Sequence, residues 1–120
     1  MIHKELSYRV IGCCIAVHQA LGLGLLEQCY HNALYYELQA AGFAVGYNVP
    51  YTVFHRGNIV GEYFGDLVVD DTIIIELKAV QHLSDIHTAQ VLNYLHIAHI
   101  NLGLLVNFHG SRLEWKRLVI

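Results

Sequence analysis

Residues 65–80 read "GDLVVDDTIIIELKAV", and this stretch decides the fold. Two apolar runs, Leu67-Val68-Val69 and Ile73-Ile74-Ile75, flank "DDT" at 70–72. β-Branched runs on either side of a short turn signal predict an antiparallel hairpin. Asp66 stands in the first strand, and Glu76 and Lys78 stand in the second, where a core strand wants no charge. A hairpin centred on Asp71 leaves Asp66 and Glu76 each five residues away. They then face each other across the strands with Cβ atoms roughly 5 Å apart. Strand period two puts Lys78 on the same face as Glu76.

Two like charges so close in an apolar setting cost on the order of several kcal/mol if unpaired. Lys78 offsets only one of them. A divalent cation would satisfy both, and oxygen-only ligands suit Mg²⁺ or Mn²⁺ rather than zinc. A solvent-facing strand edge with an ordinary Glu–Lys pair, or one carboxylate held protonated, accounts for the same residues.

Outward from the hairpin, the pattern organises as one domain over residues 1–120. Leu6, Val10, Cys13, Val17 and Leu21 recur at three- and four-residue steps, predicting an amphipathic helix over about 4–20. "GLG" at 22–24 ends it, and a second helix runs from about Leu25 to Ala41, before Gly42. "FAVGYNVPYTVF" and "IVGEYFGDLVV" flank the hairpin signal "HRGN", with Pro50 placing the first strand at an edge or a bulge. Ser84 caps a third helix from about Asp85 to His99, and "NLGLLVNF" and "RLEWKRLVI" supply two final strands. The order is ααβββαββ, an α+β or mixed α/β domain on a single sheet.

Composition narrows the class further. The chain is 55% hydrophobic and 14% charged, which excludes a disordered segment. So apolar a chain of this size suggests surface hidden in a partner, a homodimer being the simplest. The net charge of −3 argues against gripping nucleic acid by bulk electrostatics, though not against handling one phosphate through a metal ion. Cys13, Cys14 and Cys29 have no CxxC spacing and read as small buried groups in a reducing cytoplasm. "MIHKELSYRV" carries charges where a signal peptide wants an apolar core, and Val10–Leu26 is too interrupted for a membrane span.

Two further groupings carry polar chemistry. Gly24, Glu27 and Tyr30 in "GLLEQCY" lie at steps of three near the start of the second helix. A capping glycine, a glutamate favoured by the helix dipole and a half-buried tyrosine describe them equally well. His87, Gln90 and Tyr94 in "HTAQVLNY" share one flank of the third helix, beside the buried stripe Val91, Leu92 and Leu95. That flank is either a wet surface or a set of hydrogen-bonding groups that orient a ligand.

Together these pieces resemble a known family. Asp66, a nine-residue gap and Glu76-Leu77-Lys78 are similar to the D…(D/E)xK signature of the PD-(D/E)XK nuclease superfamily. Gln90-Val91-Leu92-Asn93-Tyr94 resembles the QxxxY motif of its RecB-type members. Gly24, Glu27 and Tyr30 match the motif of the GxxExxY protein family, a small bacterial and archaeal branch of that superfamily. The chain departs from that pattern at Asn48, where glutamine is expected, and at His109, where glycine is usual.

The resemblance implies a restriction-endonuclease-like core and a Mg²⁺- or Mn²⁺-dependent nuclease acting on DNA or RNA. In it Glu27, Asp66, Glu76 and the backbone carbonyl of Leu77 would ligate the ion, and Lys78 would act on the attacking water. Gln90 and Tyr94 would position the ligands or the phosphate, with Tyr30 and His87 behind them. Two other functions fit the same residues: a catalytically silent module of this fold that binds nucleic acid or a partner protein, and a stress or toxin–antitoxin-type interaction protein.

The remaining features read as structure. His96 and His99 are one helical turn apart, but no further ligand stands at zinc spacing. Tyr35, Tyr36, Tyr47, Tyr51 and Tyr63 can stack bases, yet aromatic residues on a sheet read more simply as cross-strand packing. Gly22-Leu23-Gly24 lacks the third glycine and the preceding strand of a phosphate loop.

Overall fold

A computed structural model describes residues 2–120. The elements are α1 (Lys4–Leu21), α2 (Glu27–Ala40), β1 (Val45–His55), β2 (Asn58–Val69), β3 (Ile73–Lys78), α3 (Asp85–Ala98), β4 (Leu102–Asn107) and β5 (Glu114–Val119). The order is the ααβββαββ expected. All five strands form one sheet in sequence order, antiparallel except for β3 and β4, which run parallel with α3 as the crossover between them. β1 is an edge strand, so Pro50 removes no ladder donor from the sheet interior.

Strand alternation divides the core into two layers. Leu67, Val69, Ile73, Ile75 and Leu77 point to one face with Leu102, Leu104 and Val106, against Val10, Cys14 and Val17 of α1 and Tyr30, Leu34 and Leu38 of α2. Val68, Ile74 and Leu105 point to the other, against Val91 and Leu95 of α3. β3 and β4 are buried on both faces, which is why they read as unbroken apolar runs rather than alternating ones. α3 lies close on β4 because Gly103 has no side chain: a Cβ there would stand 2.7 Å from Val91 Cγ1.

Turn chemistry matches the sequence signals. Arg56 and Gly57 both take positive φ (50° and 77°), as a two-residue hairpin turn requires. Asp70 and Asp71 do the same at 50° and 53°, and Thr72 N donates to Val69 O at 2.9 Å. Tyr30 locks the α1–α2 connection: its hydroxyl donates to Gly22 O at 2.7 Å, and its ring stacks on Phe108 at 4.9 Å. The cysteines correct an expectation. Cys14 is buried, Cys13 is half-buried and Cys29 is exposed, on the side of α2 away from buried Leu34 and Leu38. Burial pushes the Cys13 and Cys14 thiols up, so neither is a nucleophile at neutral pH.

Candidate functional site

The β2–β3 ladder pairs Val69 with Ile73, Val68 with Ile74 and Leu67 with Ile75, and goes no further. Beyond Leu67 the strands part: β2 continues against β1, and β3 continues against β4 to Lys78. Asp66 and Glu76 are the first residues past the last pair, opposite each other as a hairpin centred on Asp71 requires. Asp66 fills the fork. Its Oδ2 accepts the N–H of Leu77 at 2.9 Å, a donor the parted ladder would leave without a partner.

Strict alternation fails at this point. Tyr63 and Gly65 would share a face with Leu67 if period two held along β2. Instead a Cβ on Gly65 would meet Val68 Cγ2 and Ile74 Cγ2, and the Tyr63 ring lies 5.5 Å from that of Tyr94 on α3. β1 breaks in step: Gly46 and Val49 face the same way, with Asn48 between them at φ 48°. Both strands therefore turn over at Asn48 and Asp66, which sends the Asp66 carboxylate into the opening between β2 and β3.

Glu76 is 6% exposed, and its Oε2 has no hydrogen-bond partner. Burial, then the charge and hydrogen bonding of Asp66, push its carboxyl up to about 9, and Lys78 pulls the other way without cancelling them. Without a bound cation Glu76 carries a proton at neutral pH. This is the protonated-carboxylate alternative, and it is also the state of a metal ligand before its ion arrives.

α3 brings its polar flank to the same face. Tyr94 packs on the face of Val68 and Ile74, and its phenol is pushed up first by burial and then by the charges of Glu76 and Asp66. Gln90, one turn earlier, has its Oε1 buried without a partner, as does Thr88 Oγ1. His87 does different work: its Nδ1 accepts the Ser84 N–H at 3.1 Å, closing the first turn of α3.

Glu27 opens α2, on the opposite face of the sheet, and is exposed. Among the described residues no group of three or more His, Cys, Asp and Glu side chains is placed to hold a metal ion. The structure thus joins Asp66, Glu76, Lys78 and Tyr94, and leaves Glu27 apart. What α2 sends to the fork is His31, whose Nε2 lies 2.8 Å from Asp66 O while its ring stacks on Tyr47 at 4.3 Å. Its place one turn after Glu27 on the same flank was the available signal. Buried Asn107 was also missed in the sequence. Its side chain bonds both Val80 N and Val80 O, at 3.1 and 2.8 Å, and so fixes the chain just after Lys78.

The donor set suits a hard divalent cation. Glu76 Oε2 is a buried oxygen lacking a partner, and Asp66 keeps Oδ1 free of the Leu77 bond. In an extended strand a residue's N–H and C=O leave on the same side, so the Leu77 carbonyl is directed towards Asp66 as well. Two carboxylates and a carbonyl are oxygen ligands of the kind Mg²⁺ and Mn²⁺ take.

Comparison with known proteins agrees with this geometry. A family model of the PD-(D/E)XK nuclease superfamily matches residues 4–118. No curated protein matches the chain. The crystal structure of SSO0001 is similar in fold, with a TM-score of 0.58 at 18% identity over 77% of this chain. This chain spans 50% of that one.

Proposed function

The chain belongs to the PD-(D/E)XK nuclease superfamily, and from that premise we propose that it hydrolyses phosphodiester bonds of nucleic acid, DNA first, with a divalent cation as cofactor. One observation carries the reading. Two carboxylates, one of them buried with an oxygen lacking a partner, stand beside a lysine at the mouth of a strand fork. A fold gains no stability from that arrangement, since an apolar pair would pack there without a desolvation penalty.

Asp66, Glu76 and the Leu77 carbonyl would hold Mg²⁺ or Mn²⁺, while Glu27, exposed at the start of α2 over the opposite face of the sheet, stands outside that set. Bound there, the ion supplies Lewis-acid chemistry: it acidifies a water and neutralises charge on the phosphate. The protein's own residues do the rest. Lys78 orients the attacking water and takes up negative charge as the phosphorus becomes five-coordinate. Tyr94 and Gln90 donate hydrogen bonds that fix the carboxylates or the phosphate. The Asp66–Leu77 bond keeps one carboxylate from swinging out of the fork, so it meets the ion already oriented.

Calorimetric titration with Mn²⁺, wild type beside a folded Glu76→Ala variant, tests the reading. Saturable binding that the variant abolishes, together with cleavage of an oligonucleotide by the wild type alone, is expected. Absence of binding with and without DNA would leave the catalytically silent module as the better description.

A further inference from the structure

Tyr63 is 46% exposed and stands three residues before Asp66 on β2. Its ring meets that of Tyr94 at 5.5 Å and 50°, and its cross-strand neighbour is Tyr51. Along β2 the residues two before and two after it are Gly61 and Gly65. A Cβ on Gly65 would stand 3.3 Å from the Tyr51 ring, so that glycine makes room for Tyr51. Nothing lies within 4 Å of where a Cβ of Gly61 would be, so the strand next to Tyr63 carries no side chain there. An exposed aromatic ring steadied by a second ring offers a stacking surface. It lies three residues from Asp66, roughly 10 Å along an extended strand.

The charges around it do not suit a duplex. Gripping double-stranded DNA takes several cations along two phosphate backbones. Lys78 is the cation of this face near the fork. Lys4 and Arg9 lie on α1 over the opposite face, Arg56 is in the distant hairpin turn, Arg112 is exposed in the loop between β4 and β5, and Lys116 and Arg117 are on β5, at the far edge of the sheet.

We propose that this face takes an unpaired nucleic-acid strand, with one base stacked on Tyr63 while the neighbouring phosphate lies at the carboxylates. This rests on the hydrolytic reading for the phosphate, but the stacking site is separable from it. A base inside a duplex has both faces covered and cannot reach Tyr63 without leaving its stack, whereas a single strand presents its bases freely.

Binding of fluorescent oligo-dT, oligo-rU and a duplex of similar length, measured by anisotropy with Ca²⁺ to hold off turnover, tests this. Single strands are expected to bind at least about tenfold more tightly than the duplex, and the dT and rU arms separate DNA from RNA. Tyr63→Ala is expected to lose about tenfold on single strands, Tyr63→Phe to keep wild-type affinity, and duplex binding to change with neither. Circular dichroism of both variants checks the fold. Equal affinity for duplex and single strand, or a folded Tyr63→Ala that binds like wild type, overturns the proposal. Tyr63-dependent binding without cleavage in Mg²⁺ or Mn²⁺ removes the hydrolytic reading and leaves the stacking site standing. Cleavage by Tyr63→Ala at wild-type KM removes the stacking site and leaves hydrolysis standing.

Discussion

Asp66 Oδ2 and the backbone N–H of Leu77 are 2.9 Å apart, a hydrogen bond that spans the fork where β2 leaves β3. The bond makes Asp66 structural as well as a candidate ligand, and the two roles separate by substitution. Asp66→Asn keeps an acceptor oxygen and removes the charge beside Glu76, so the fold is expected to hold while Mn²⁺ binding is lost. Asp66→Ala leaves a buried donor without a partner, a loss of about 1–3 kcal/mol. Urea denaturation of the metal-free proteins should therefore rank Asn above Ala. Equal stabilities would mean that the Leu77 bond contributes nothing.

Glu76 makes metal-free stability depend on pH in a defined direction. Its carboxyl is raised from 4.5 to about 9 in the fold, first by burial and then by Asp66. Below about 4.5 both folded and unfolded chains carry the proton and the group imposes no penalty. Between 4.5 and about 9 the unfolded chain is ionised while the fold still holds the proton, so stability falls as pH rises. The slope from this group approaches about 1.4 kcal/mol per pH unit. Glu76→Gln should flatten the profile in EDTA and exceed the wild type at pH ~8. Saturating Mn²⁺ should stabilise the wild type and leave the variant unmoved. A wild-type profile that is flat from mildly acid to alkaline pH would contradict the protonated state.

Lys78 is assigned to the attacking water rather than to the metal. Lys78→Met is expected to lower kcat on the order of a hundredfold or more, as loss of a positioned proton-transfer group does. Mn²⁺ affinity should stay the same or tighten, because a cation beside the ion's site is gone. A matched loss of metal affinity and rate would instead make Lys78 a packing residue of the site.

The hairpin centre, and with it the meeting of Asp66 with Glu76, was legible because turn position alone fixes antiparallel register. The helices were legible from apolar period and caps. The break in alternation was not. "YNVP" and "FGDL" look like ordinary strand, and only Asn, tolerant of left-handed backbone, hints that residue 48 departs from it. Unbroken period-two alternation would set Tyr63 on the helix-pair face with Leu67; the break instead turns it towards Tyr94 on α3. His31 and Asn107 escaped for another reason: each acts on backbone atoms far along the chain, and no local pattern marks such a partner.

Asn48 offers a way to test whether that break positions the site. At φ 48° it stands opposite Asp66, in the one gap that the β1–β2 register leaves between Tyr47–Leu67 and Val49–Gly65. A β-branched residue is strained there, so Asn48→Val should cost roughly 1–2 kcal/mol. Asn48→Gly, free of a Cβ, should be nearly neutral. If the turnover of both strands is what sends Asp66 into the fork, Asn48→Val will relax towards ordinary extended backbone and withdraw the carboxylate. Its Mn²⁺ affinity should then fall while Asn48→Gly binds as wild type does. The comparison needs only denaturation and calorimetry on three proteins. Should Asn48→Val lose stability yet bind Mn²⁺ normally, Asp66 is held by Leu77 alone, and the kink serves to turn Tyr63 towards α3.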